Sequence, residues 1–192
     1  MRRAISQEQI QKIIKLELED DKLINSRNYF LFSYYCRGIN FTDLANLKWS
    51  NIRDGFINYV RAKTKEEFDF KLHPEAIKIL EYYRHMEGNS DAGYVFPILY
   101  KRHGTVRSQR DRKQKILKRV NQDLKTMAEK AEIQKNLTTY VARHSYASAL
   151  RTKGISKEDI GKSLGHDSIK TTETYLDEIG DPLFDDRIND CI

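Results

Sequence analysis

The chain has little that would organise it from outside its own core. It carries two cysteines, Cys36 and Cys191, in 192 residues. That excludes a disulfide framework and makes a reducing, intracellular compartment the expectation. Long hydrophobic runs are missing too. The longest charge-free apolar stretches, 28–36 and 92–100, fall well short of the ~20 residues that span a bilayer, so no membrane partner is expected. Residues 1–6 hold no apolar segment suited to a secretory signal. Five histidines and two cysteines show no metal-ligand clustering and no His-x3-His spacing, so neither a metal nor a cofactor is expected. There is no internal repeat and no low-complexity tract.

What is present is charge, unevenly placed. Hydrophobic residues make up 39% and charged residues 32%, with a net charge of +6. A packed core is affordable, and the length suits one domain with at most a small appendage. Nine Lys/Arg and a single acid, Asp111, fall within 101–119. From Asp177 onward the chain holds six acids and one arginine. A charge run is by default a solvated face; a basic one also suits a polyanionic partner.

The periodicity is mostly helical. Ser6 with Gln9 makes a capping box, followed by an apolar stripe through Ile10, Ile13 and Ile14. A second helix is predicted over 26–48, dense in aromatics that read as core, with a possible break at 38–40. Two short alternating runs, 56–60 and 68–72, flank the polar turn 61–67 and predict an antiparallel hairpin. Pro74 opens a helix over 74–86, and 87–106 reads as loop. Further helices are predicted over 111–132, 138–152 and from Ser156 to about Leu164. A last one, capped by Asp167 or Ser168, carries Tyr175. The fold class is mainly α with a small antiparallel β-hairpin (α+β).

The segment Tyr140-Val141-Ala142-Arg143-His144-Ser145-Tyr146-Ala147-Ser148 is followed by Leu164-Gly165-His166 and then by Tyr175. An arginine grips phosphate bidentately, an imidazole donates a hydrogen bond to it, and a phenol can attack it. A free tyrosine has a pKa near 10, so the phenol needs an electrophile whose charge is held. Taken singly, Arg143, His166, Tyr175 and Lys63 each have a plain structural reading: surface, helix end, core boundary and solvated turn.

Their order resembles the tyrosine site-specific recombinase (phage integrase) family. Arg-His, Leu-Gly-His and Thr-Thr-x-x-Tyr occur in sequence. Asp43-Leu44-Ala45-Asn46-Leu47-Lys48-Trp49 is similar to the family's first box, and Lys63-Thr64 lies in a hairpin turn where the family keeps a lysine. The resemblance runs from about residue 5 to about 178 and implies the recombinase catalytic-core fold. It implies Tyr175 as nucleophile forming a 3′-phosphotyrosyl link, and Arg143 as phosphate clamp. His166 would bond a non-bridging oxygen, Lys63 would be the general acid, and Asp43 a bracing acid. Two positions depart from the pattern. Tyr140 stands where a histidine is usual. Asn40 stands where the first arginine is usual, and Arg37, one turn earlier, is the expected replacement. His144 is expected to point roughly 100° away from Arg143.

In this setting Lys101, Arg102, Arg107, Arg110, Arg112, Lys113 and Lys115 would bind backbone phosphates without reading sequence, with Gln109, Gln114 and Asn121 as candidate base readers. The expected function is site-specific recombination of double-stranded DNA by a bacterial, cytoplasmic protein similar to integrases of mobile elements. Type IB topoisomerase-like relaxation and non-catalytic DNA binding are the alternatives. The catalytic domain is expected over 1–178. An acidic tail over 179–192 either frays or docks on a neighbouring protomer. The resemblance also implies an upstream DNA-binding domain absent from this chain, a tetramer on DNA for the full-length protein, and a monomer for this piece alone.

Overall fold

The computed structural model describes residues 4–86 and 93–180. In order these form α1 (Gln7–Lys15), α2 (Asp21–Tyr35), α3 (Phe41–Asn46) and a 3-10 turn (Trp49–Asn51). Then come β1 (Ile52–Arg53), β2 (Phe56–Val60), β3 (Glu67–Lys71) and α4 (Pro74–Arg84). The last described elements are α5 (Val106–Lys130), α6 (Thr139–Thr152), α7 (Lys157–Leu164) and α8 (Ile169–Ile179). The architecture is helical with one small sheet, as the periodicity predicts. Among the described residues no helix is long and apolar enough to cross a membrane.

The hairpin gains a strand. β1 pairs antiparallel with β2, and β2 with β3, in the order β1-β2-β3. The β2–β3 register runs from Phe56 opposite Lys71 to Val60 opposite Glu67. Ile57, Tyr59, Phe68 and Phe70 face inward and their neighbours outward, the period-two pattern of a half-buried sheet. Each expected strand lies within a residue of its place.

The helix predicted over 26–48 does break near 38–40, into α2 and α3. α2 ends at Tyr35 because Arg37 and Gly38 adopt left-handed φ of 55° and 67°. Asn40 then caps α3, its side chain accepting from the Asp43 amide at 3.0 Å. Gly38 has a second reason to lack a side chain. A Cβ there would lie 2.6 Å from Cγ of Arg143, so the break in the first box is shaped to admit the arginine of α6.

α2 forms the centre of the main core. Phe30 and Phe32 are fully buried. Phe32 meets Phe96 edge-on at 5.0 Å, and Phe96 meets Tyr83 likewise at 5.0 Å. The aromatics of α2 are therefore core, as read. The segment expected as loop contributes more than a connection. Val95, Phe96, Ile98 and Leu99 are buried, and the Val95 amide donates to the Leu47 carbonyl at 2.9 Å. α5 starts at Val106, earlier than predicted, because Thr105 accepts from the Ser108 amide at 3.1 Å and caps it.

A second, smaller cluster holds Ala4, Ala147, Ile160, Leu164, Tyr175, Leu176 and Ile179. It packs α6, α7 and α8 together. The segment before α1 is tied to it: the Ile5 amide donates to Ser145 Oγ at 3.0 Å, and Lys135 Nζ donates to the Ala4 carbonyl. Residues 181–192, most of the acidic tail, lie outside the described residues.

Candidate active site

Arg143 is the hub. α6 begins where the Thr139 amide donates to Asn121 Oδ1 at 2.9 Å. Asn121, a candidate base reader by sequence, thus holds this helix end instead. One turn in, Arg143 is only 6% exposed. Its Nη1 donates to the Gly38 carbonyl at 3.0 Å and its Nη2 to the Leu164 carbonyl at 2.6 Å. The same Nη2 lies 3.3 Å from Nε2 of His166. Burial works against the charge on this guanidinium, and the nearby Arg61 adds to that.

α7 and α8 present His166 and Tyr175 at a tight corner. Gly165 ends α7 with φ of 65°. A Cβ on it would meet Phe68 Cζ at 2.4 Å and Glu66 Oε2 at 2.5 Å, so the corner sits directly on the hairpin. Ser168, one of the two expected caps, accepts from the Thr171 amide at 3.2 Å. Nδ1 of His166 is 3.0 Å from Thr172 Oγ1. Because a guanidinium only donates, Nε2 must accept from Arg143, which assigns the proton to Nδ1. Burial first, then Arg143 and Arg61, push the His166 pKa down to about 4. The ring is therefore neutral at pH 7.

Tyr175 is 9% exposed. Its ring stacks on His144 at 5.2 Å and 18°, and His166 meets it edge-on at 5.2 Å. The hydroxyl is buried without a well-formed hydrogen bond. Burial raises its pKa, and the nearby Arg143 guanidinium pulls it down less strongly. Tyr140 is 50% exposed and meets His144 edge-on at 4.6 Å.

Lys63 lies in the turn between β2 and β3. Its side chain is exposed and makes no hydrogen bond or ion pair among the described residues. The turn itself is fixed. Asp43, 4% exposed, accepts the Ala62 amide at 2.8 Å and is also held by Asn40 Nδ2. This buried carboxylate thus holds the backbone one residue before Lys63.

The structure brings together Tyr140, Arg143, His166 and Tyr175, and Asp43 ties in the Lys63 turn. Arg37 is placed differently from the sequence argument, which assumed a continuous helix. Its guanidinium lies over the Phe70 ring at 4.2 Å. No hydrogen bond or ring contact joins it to Arg143, His166 or Tyr175.

Sequence reasoning missed three residues. His144 does not point away from the site; it is 1% exposed and faces Tyr175. Its i+4 offset from Tyr140 was a usable signal. Thr172 orients His166. Arg61 reaches the corner, donating to the Gly165 carbonyl at 2.7 Å and to that of Leu164 at 3.3 Å; nothing in its spacing announced it.

The basic segment divides. Lys101, Arg102, Arg107, Arg110 and Lys115 are exposed, Arg102 resting over Tyr100. Arg112 instead donates to the Ile98 carbonyl at 3.0 Å, and Lys113 to Asn46 Oδ1 at 3.1 Å. Burial lowers the pKa of both. These two are half-buried and engaged within the molecule.

Comparison with known proteins identifies the family. The model of the phage integrase family matches residues 3–179. A tyrosine recombinase of Pseudothermotoga lettingae is 25% identical over 181 residues, covering 92% of this chain and 57% of its own. Tyrosine recombinase XerA of Pyrococcus furiosus is 28% identical over 180 residues, covering 90% and 56%. In fold, a lambda integrase (75-356) dimer bound to a COC' core site matches with a TM-score of 0.63 at 20% identity, over 94% of this chain and 61% of that one. The chain spans little more than half the length of the curated relatives it matches.

Proposed function

This chain belongs to the phage integrase family, and from that membership we propose that it is the catalytic domain of a site-specific DNA recombinase. The convergence of Arg143 from α6, His166 from the α7–α8 corner and Tyr175 from α8 carries the reading. Tyr175 attacks the scissile phosphorus; its Oη–P bond forms as the P–O5′ bond breaks. The strand is left as a 3′-phosphotyrosyl ester and a free 5′-hydroxyl. Bond energy is kept in the ester, and the reverse attack by a 5′-hydroxyl rejoins strands.

Each proton has a place to go. The phenol proton needs an acceptor, and Nε2 of the neutral His166 becomes one when Arg143 turns from it to the phosphate. The leaving 5′-oxygen needs a donor, and Lys63, on the turn braced by Asp43, supplies it. Arg143 holds the charge that grows on the non-bridging oxygens. Tyr140 adds a phenolic donor at the rim. Arg37, one residue from the carbonyl that holds Arg143, borders the site with its guanidinium over Phe70. Double-stranded DNA is the substrate, with Lys101, Arg102, Arg107, Arg110 and Lys115 on its backbone. The active assembly is a tetramer on DNA.

The test is a nicked suicide duplex carrying the protein's own target site. Full-length protein should form a covalent adduct that vanishes in Tyr175→Phe. No adduct would remove the enzymatic reading and leave DNA binding alone. Plasmid relaxation without two-site recombination would favour the topoisomerase alternative.

A further inference from the structure

We propose that Arg61 supplies the second guanidinium of the phosphate clamp. The inference rests on the recombinase reading for the identity of the phosphate, a scissile DNA phosphodiester. Its geometry stands apart from that reading. Arg61 and Arg143 reach the same oxygen: the Leu164 carbonyl accepts from Arg143 Nη2 at 2.6 Å and from Arg61 Nη1 at 3.3 Å. The Gly165 carbonyl, next to His166, takes Arg61 as well. Two guanidiniums from distant parts of the chain are thus bracketed by one helix end.

An arginine on the last carbonyls of a helix is in part a C-terminal cap. What goes beyond a cap is the charge balance. Arg143 is buried and Arg61 half-buried, yet among the described residues neither forms an ion pair. Glu66, whose carboxylate lies against Gly165, makes none with Arg61. Their partners are neutral groups: carbonyls, an imidazole and, for Arg143, the nearby Tyr175 phenol. Like charges held together away from water are costly unless an anion joins them. Arg61 also repels both neighbours, helping to lower the pKa values of Arg143 and His166. Two forks converging from two sides match the non-bridging oxygens of a phosphodiester. Asn40, where an arginine was expected, is committed to capping α3 and holding Asp43. Asp43 in turn fixes the amide of Ala62, between Arg61 and Lys63, so one carboxylate positions both cations.

Two measurements on the full-length protein test this. First, inorganic phosphate is titrated while arginine Nε–H signals are followed by NMR. The Arg61 and Arg143 signals should move together, and a still Arg61 signal overturns the proposal even if Arg61 variants fold poorly. Second, cleavage of the nicked suicide duplex is compared across variants, with melting temperature as the folding control. Arg61→Ala should lower cleavage by about 100-fold. Arg61→Lys should recover only part of this, because a point charge lacks the fork. Arg53→Ala, on the exposed edge strand, should cleave normally. Wild-type cleavage by Arg61→Ala, or a comparable loss only in Arg37→Ala, sinks the proposal and spares the recombinase reading. Phosphate shifts at Arg61 without any Tyr175 adduct would do the reverse.

Discussion

Arg143 and Lys63 are two cations of one candidate site and are held in opposite ways. Arg143 is buried and bonded to two carbonyls and a histidine, and the first box is broken at Gly38 to make room for it. Lys63 is exposed on a turn whose backbone is fixed by Asp43 while its side chain is not. The difference maps onto the chemistry. Charge on the non-bridging oxygens must be met by groups already in place, since reorientation during the reaction costs barrier height. A proton donor can be positioned by the substrate's own arrival. The buried side should therefore couple catalysis to stability, and the exposed side should not.

The largest effect belongs to the buried side. Tyr175→Phe should abolish the covalent adduct altogether. Its stability should not fall, because the hydroxyl removed is buried without a well-formed partner, and such a group costs about 1–3 kcal/mol. A melting temperature equal to or a few degrees above wild type is expected. A clear drop would mean that the hydroxyl is bonded in solution. Gly38→Ala strikes the same side through the backbone. It places a Cβ in a left-handed residue, 2.6 Å from Cγ of Arg143. A loss of about 3 kcal/mol should accompany a cleavage loss of about 100-fold. An unchanged melting temperature would show that Arg143 has room to move.

Lys63→Ala is the contrasting case. Cleavage should fall about 100-fold, while unfolding free energy stays within about 0.5 kcal/mol of wild type. If denaturant melts show Lys63→Ala destabilised as much as Gly38→Ala, the two sides are not built differently and the comparison fails.

The same contrast separates what the sequence made legible from what it did not. Helices with caps and stripes, and strands with alternation, could be read because their signals are local. Ser6, Pro74, Ser168 and the 56–60 run behave as their chemistry requires. The order of Arg143, His166 and Tyr175 is legible because Arg143 and Tyr175 lie within regular helices and His166 follows a glycine that ends one. The break in the first box is legible from Gly38 and Asn40, but its tertiary reason is not: Arg143 approaches Gly38 from 105 residues away. Arg61 was invisible for a like reason. Its partners are carbonyls on another element, and carbonyls carry no residue identity. His144 was set aside on an angular argument that located its direction without knowing that α8 would lie there.

The smallest predicted effect tests the buried side by titration. The His166 pKa is depressed to about 4 from an ordinary value of 6.5, so the unfolded chain binds a proton more readily than the folded one between those values. The stabilisation associated with a neutral His166 is thus fully present above pH 6.5 and is lost as pH falls toward 4. The ring is half-buried, so solvent screening reduces the effect to about 1 kcal/mol, a few degrees in melting temperature. His166→Asn cannot titrate there, and its melting temperature should fall less steeply than wild type from pH 6.5 to 4. Phosphate should narrow the difference, because an anion between Arg143 and His166 favours the protonated ring. Parallel wild-type and His166→Asn curves across that range would mean that the imidazole is not held neutral by its burial and by the guanidiniums beside it.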